Sequence, residues 1–155
     1  DLDRVLPENV IRLRSLTKDY GLAGLRVGYA IGPAAWVERM DAVRPRWTVN
    51  GLAQAVVPAA LSAESELGQV RTRLFRARES LIASTRAAGF AARSSATIYV
   101  LLDVGEARRL KTQLLARHAI RVRDCTSFGL PRYIRVAARE GDATDRLIAA
   151  LRAEL

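Results

Sequence analysis

The sequence predicts an α/β chain, and three observations carry that reading. Two short segments near the start alternate apolar and polar residues, as half-buried strands do. A long stretch in the middle repeats apolar residues at helical spacing. The closing part then reads strand, helix, strand, strand, helix, the order of a small α+β unit.

The elements follow in order. "VIRLRS" is a strand running into a loop around Lys18, and "LRVGYAI" is a second strand bounded by Gly24 and Gly32. Pro33 opens a helix through "AAWVERMDAV", which ends before Pro45. "RPRWTVNG" is a loop, and a helix starts at Leu52 with an interruption or kink expected near Pro58. Leu67, Val70, Leu74, Ala77, Leu81, Ser84 and Ala88 mark one face of a long amphipathic helix ended by Gly89. "TIYVLLDV" is a strand covered on at least one face. "EARRLKTQLLARHA" is a helix with Leu110, Leu114 and Leu115 on one side. "IRVRD" and "RYIRVAAR" are strands separated by the turn-rich "CTSFGLP". A capped helix closes the chain, with Leu147, Ile148, Leu151 and Leu155 facing inward. The expected divisions are 1–50 for the edge of a larger α/β sheet, 51–89 for connecting helices and 90–155 for a small α+β domain.

Composition narrows the function classes. With 155 residues, half of them hydrophobic, the chain can bury a real core and is not disordered. Arginines interrupt every apolar run, so no membrane-spanning segment is expected, and the polar N-terminus lacks the plan of a secretory signal. A lone cysteine, Cys125, fits a reducing compartment, so a cytoplasmic location is the expectation. A net charge of +9 raises nucleic-acid binding as a class. No basic motif with interleaved aromatics appears, and the densest cluster (Arg71, Arg73, Arg76, Arg78) reads as a solvated helix face. No nucleic-acid or membrane partner is therefore expected.

Only two lysines, Lys18 and Lys111, stand among 25 cationic residues. A lysine amine that sheds its proton near neutral pH can form a Schiff base with an aldehyde cofactor. A phosphate on that cofactor needs hydroxyls, backbone N–H groups and preferably an arginine fork. Ser15, Thr17 and Arg26 supply such groups around Lys18, and Gly21 and Gly24 allow the backbone to turn. A lysine on a surface turn is the competing reading. Gly21, Gly24 and Gly28 do not follow G-x-G-x-x-G, so a dinucleotide site is discarded.

"NVIRLRSLTKDYGLAGLRVGYAIG" closely resembles the lysine segment of the class I/II (fold-type I) pyridoxal-phosphate-dependent aminotransferases. Within them it is most similar to the branch of histidinol-phosphate aminotransferases and threonine-phosphate decarboxylases of cobalamin synthesis. The resemblance implies pyridoxal 5'-phosphate as cofactor and Lys18 as the Schiff-base lysine, which also shuttles the proton at the substrate α-carbon. It implies that Ser15 and Arg26 hold the cofactor phosphate, with Thr17 assisting. The fold it implies is the later part of such an enzyme: the end of the large domain, connecting helices and the small domain. It implies a small amino-acid substrate and a homodimer in the intact enzyme.

A second stretch, "IRVRDCTSFGLPRYIRVAAR", sets Arg123 and Arg135 on two strands across a turn. Paired guanidinium groups suit a substrate with two anionic ends, and arginines facing water are the alternative. By the resemblance, Arg135 matches the arginine that grips the substrate α-carboxylate, and Arg123 a second arginine associated with phosphate-bearing substrates. "RDCTSF", "RYIRVAAR" and "RWTVNGLAQ" look more like the decarboxylase branch. Transamination of a phosphate-bearing amino acid is the first expectation and L-threonine-O-3-phosphate decarboxylation the alternative. A non-catalytic partner subunit is the rival from another class.

His118, at the polar end of a helix, is expected to be structural or exposed, Cys125 to be packed, and Tyr20 and Tyr29 to pack. No metal is expected, because no second His or Cys offers ligand spacing. Three upstream parts of the family's site are missing from the chain: a phosphate loop, a stacking aromatic and the aspartate paired with the ring nitrogen. Asp1 and Asp3 lie too close to Lys18 in sequence to take that last role. The chain is expected to be a fragment that alone binds cofactor weakly and turns over little.

Overall fold

The computed structural model describes residues 6–155, the side chain of Glu64 apart, so Asp1 and Asp3 lie outside the described residues. The chain divides into two compact units, 1–68 and 69–155.

In the first unit, β1 (Arg12–Ser15) pairs antiparallel with β2 (Gly28–Ile31), Ser15 opposite Gly28 and Arg12 opposite Ile31. Between them lie one helical turn, α1 (Leu16–Asp19), and a 3₁₀ turn over Ala23–Leu25. Pro33 precedes α2 (Ala34–Val43), because its fixed φ and missing N–H cost nothing at a helix start. Asn50 caps α3 (Gly51–Ser62) by accepting a 2.8 Å bond from the Ala53 N–H. The expected interruption at Pro58 does not occur there: α3 continues through it, and the break falls at Ala63. Leu16 and Ala53 are the buried apolar residues described in this unit, whereas Leu13, Val43, Trp47 and Leu52 are exposed. Tyr29, expected to pack, is 38% exposed.

The second unit has two layers. Strands β3 (Ala92–Arg93), β4 (Tyr99–Asp103), β6 (Leu130–Ala137) and β5 (Arg123–Cys125) form an antiparallel sheet in the order β3-β4-β6-β5. Period-2 alternation puts Val100, Leu102, Ile134 and Val136 on its core face. They pack with Leu81 and Ile82 of α4 (Glu64–Ala87), Leu110 and Leu114 of α5 (Ala107–His118), and Leu147 and Leu151 of α6 (Ala143–Glu154). The opposite face carries Tyr99, Leu101, Tyr133 and Arg135, none of them buried.

Several expectations are corrected here. Leu115 is 46% exposed and Leu155 is 55% exposed, because the buried stripes turn through Leu110–Leu114 and Leu147–Leu151 instead. The α4 stripe is buried only from Leu81 onward, and Val70 is largely open. Asp142 precedes α6 without a side-chain capping bond. Arg78 is not solvated: its side chain is 16% exposed and donates to the carbonyls of Ser95 and Thr97 at 2.7 and 3.0 Å. Thr85 is fully buried because its hydroxyl donates to the Leu81 carbonyl one turn back.

Candidate active site

The lysine turn is built from the end of β1. Leu16 is buried and its N–H donates to the Val27 carbonyl at 3.2 Å, which carries the β1–β2 ladder into α1. Ser15 sits at the start of that turn, its Oγ accepting from the Thr17 N–H and lying 2.7 Å from Thr17 Oγ1. The two hydroxyls therefore converge, one exposed and one half-buried, while the Lys18 side chain projects into solvent. Gly21 takes a left-handed φ of +66, as expected of a glycine turn, but Gly24 does not. The left-handed residue on that side is Arg26, with φ 52 and ψ 48, and its guanidinium donates to the Ala23 carbonyl at 3.1 Å. A non-glycine residue in this region is strained, and such strain gathers at functional sites.

Asn50 is the residue that sequence reasoning passed over. Beyond capping α3, its Nδ2 donates to the Leu25 carbonyl at 2.9 Å, which ties the helix start to the turn that aims Arg26. The signal was present: an Asn one residue before a helix is a cap, and a cap has a second amide group to spend. Gly28 is fixed for another reason, since a Cβ there would lie 2.5 Å from the Arg14 carbonyl oxygen. Only a glycine lets β1 and β2 approach so closely beside Ser15.

The second cluster lies on the sheet of the second unit. Arg123 and Arg135 are direct register partners across β5 and β6, so both project from the face opposite the core. Arg135 lies over the Tyr99 ring, 4.4 Å from its centroid. Arg123 lies over Phe128 at 5.5 Å and donates to Ser127 Oγ at 3.0 Å. A depression of about 530 Å³ is lined by both arginines with Tyr99, Lys111, Leu115 and Arg121. Lys111 sits 3.6 Å from Asp124, whose carboxyl is held below the usual aspartate range by its bonds to Thr126 and by that lysine. Cys125 is buried beside this pair, and burial pushes its thiol pKa up, which suits a packed residue and not a nucleophile. His118 is taken up by structure: its Nε2 lies 2.9 Å from Glu154.

The donor set of the lysine turn fits an aldehyde-bearing phosphate. It offers one primary amine, two convergent hydroxyls and one arginine, with no carboxylate ion-paired to Lys18 or Arg26 among the described residues. The arginine pair on the sheet fits anionic groups of a second molecule.

The sequence profile described as aminotransferase class I and II matches residues 3–151. A histidinol-phosphate aminotransferase of Halorubrum lacusprofundi is 35% identical over 156 residues, 97% of this chain and 42% of that relative. The structure of histidinol-phosphate aminotransferase from Sinorhizobium meliloti in complex with pyridoxal-5'-phosphate superposes with a TM-score of 0.82 at 29% identity. It is matched over 96% of this chain and 42% of its own. L-threonine-O-3-phosphate decarboxylase from Porphyromonas gingivalis gives a TM-score of 0.87 at 26% identity, over 95% of this chain and 47% of its own. The chain thus spans less than half the length of each of these relatives.

Proposed function

The chain belongs to the aminotransferase class I and II family, and from that premise we propose that it carries the lysine turn and the substrate-arginine sheet of a pyridoxal-phosphate-dependent aminotransferase. The observation that carries the proposal is the pair of hydroxyls of Ser15 and Thr17, 2.7 Å apart and next to Lys18 in the chain, on a turn that leads to Arg26 with its left-handed backbone. When bound, pyridoxal phosphate supplies an electron sink for the pair left at the substrate α-carbon. Lys18 would hold the aldehyde through its amine and would carry the proton at the substrate α-carbon. Ser15, Thr17 and Arg26 would hold the phosphate by hydrogen bonds, charge-assisted from Arg26. Arg135 holds the substrate α-carboxylate, its guanidinium lying over the Tyr99 ring. Arg123 meets a second anionic group, which supports a phosphate-bearing amino acid as substrate.

The likeness to the decarboxylase structure favours a second reading, loss of carbon dioxide from a phosphorylated amino acid. The two reactions differ in which bond at the α-carbon is aligned for cleavage. Exposed Trp36, Trp47 and Leu52 support a working enzyme in which further polypeptide, with a second copy in a dimer, covers the first unit. Among the described residues no helix is long and apolar enough to cross a membrane, and the single cysteine supports a cytoplasmic setting.

Spectroscopic titration tests the proposal. Pyridoxal phosphate added to the chain should give the visible band of a lysine-bound aldehyde. Lys18→Ala should remove that band, and Arg26→Gln should raise the half-saturating concentration about tenfold or more. A band that persists in Lys18→Ala would overturn the assignment.

A further inference from the structure

Tyr99 opens β4 beyond the reach of β3, whose two residues pair only with Leu101 and Leu102. Along an antiparallel strand the N–H and C=O of successive residues point alternately to one neighbour and the other. The Asp103 N–H donates to the Ala91 carbonyl on the β3 side at 3.0 Å, so Tyr99, four positions earlier, also faces that side. There the loop after β3 takes the place of a strand. The Tyr99 N–H donates to Thr97 Oγ1 at 3.2 Å, and the Ser95 hydroxyl donates to the Tyr99 carbonyl at 3.0 Å. The two hydroxyls lie 2.9 Å apart, and Ser95 Oγ also accepts from the Thr97 N–H at 3.1 Å.

Arg78 pins this loop from α4. Its guanidinium donates to the Ser95 and Thr97 carbonyls at 2.7 and 3.0 Å, lies over the Phe75 ring at 4.9 Å and pairs with Glu79. A cation so little exposed is costly unless its N–H groups are satisfied, and here two of its bonds go to the backbone of one short loop. The other end of the same loop leads to the candidate substrate site. Leu101, not Tyr99, stands opposite Arg135 in the ladder, so Tyr99 is its diagonal neighbour. The ring nevertheless meets the Arg135 guanidinium, 4.4 Å from its centroid. It does so from the first residue of a strand, where ladder pairing constrains the backbone least, and the loop hydroxyls supply the missing constraint.

We infer that Arg78 is a positioning residue: through the Ser95–Thr97 loop it fixes Tyr99, and Tyr99 sets the guanidinium of Arg135. Its part in substrate binding rests on the role given to Arg135 above. Arg78 acts from the helical layer, at second hand, and shapes the site through backbone carbonyls and one aromatic ring.

The test uses the full chain, with the arginine side-chain N–H resonances followed by NMR, first without ligand and then during titration with O-phospho-L-threonine. In the wild type the Tyr99 ring should displace the Arg135 signal upfield. Arg78→Met, which keeps an apolar stem and removes the donors, should return that signal toward the ordinary arginine position and leave the Arg123 signal in place. It should also weaken ligand binding about two- to fivefold, the worth of one cation–aromatic contact. Arg78→Lys, whose ammonium can still donate to both carbonyls, should recover part of each effect. Tyr99→Leu should reproduce the loss of affinity, and Arg78→Met added to it should cost little more, because the two residues lie on one path. An unmoved Arg135 signal in Arg78→Met would overturn the inference. Equal movement of the Arg123 and Arg135 signals, the mark of a general loosening, would overturn it too, as would losses from Arg78→Met and Tyr99→Leu that simply add. Arg135→Gln separates this inference from the reading beneath it. If that variant binds the ligand as well as the wild type, the role of Arg135 falls, while the ligand-free signal still decides whether Arg78 positions Tyr99.

Discussion

Arg123 and Arg135 face each other directly across the β5–β6 ladder, two positive charges on neighbouring strands with no carboxylate bridging them among the described residues. That arrangement costs stability in the absence of an anion and is relieved by one. Arg123→Gln is therefore expected to stabilise the ligand-free chain by about 0.2–1 kcal/mol. The same variant should bind phosphorylated amino acids more weakly. Thermal melts with and without ligand check both signs, and a variant that loses stability without ligand would contradict the repulsion.

Arg26 holds a left-handed backbone that favours glycine. Arg26→Gly should relieve about 1 kcal/mol of backbone strain while removing a phosphate holder. Stability and cofactor affinity should thus move in opposite directions, read by chemical denaturation and by pyridoxal-phosphate titration. A loss of both would show that the side chain, not its conformation, holds the turn together.

Gly28 lies against the Arg14 carbonyl, with no room for a methyl group. Gly28→Ala should force β2 away from β1 at a cost of about 1–3 kcal/mol, the usual scale for overpacking. Hydrogen exchange should then rise at Leu16, whose N–H is bonded to Val27 in the same ladder. Unchanged protection there would contradict the close approach.

At the far end of the second unit Glu154 accepts from His118 Nε2 at 2.9 Å and from Arg117 at 3.1 Å, its side chain 4% exposed. The hydrogen bond from His118, with the Arg117 charge, holds its carboxyl below the ordinary glutamate value of 4.5. A folded-state pKa below the unfolded one gives stability that is present above about 4.5 and lost as pH falls through the folded value. Glu154→Gln should flatten the stability–pH curve below that point and lower stability at neutral pH. Parallel curves for variant and wild type would remove Glu154 from the account.

Much of this was legible in the residues. The apolar run at Tyr99–Asp103 and the helix opened by Pro33 declare themselves, because strand length and local sterics set them. Facing residues were harder to assign. Leu115 and Leu155 are apolar and on helical spacing, yet the buried stripes run through Leu114 and Leu151. Arg78 looked solvated because its partners, the Ser95 and Thr97 carbonyls, are backbone groups seventeen and nineteen positions away that no local pattern announces. The lysine turn was picked out by its likeness to a family segment, because its residue types alone left a surface lysine open, whereas strand β3 was not expected at all. A two-residue strand carries no periodic signal, and register is a property of pairing that the sequence of one strand does not hold.

The central claim is that Lys18 is the amine to which pyridoxal phosphate attaches. The direct test is to incubate the full chain with the cofactor, reduce with borohydride and map the label by peptide mass spectrometry. The account predicts weak uptake with the label on Lys18, abolished in Lys18→Ala and competed by inorganic phosphate acting at Ser15, Thr17 and Arg26. Label spread over Lys111 and the N-terminal amine, with Lys18 no more modified than they are, would contradict it.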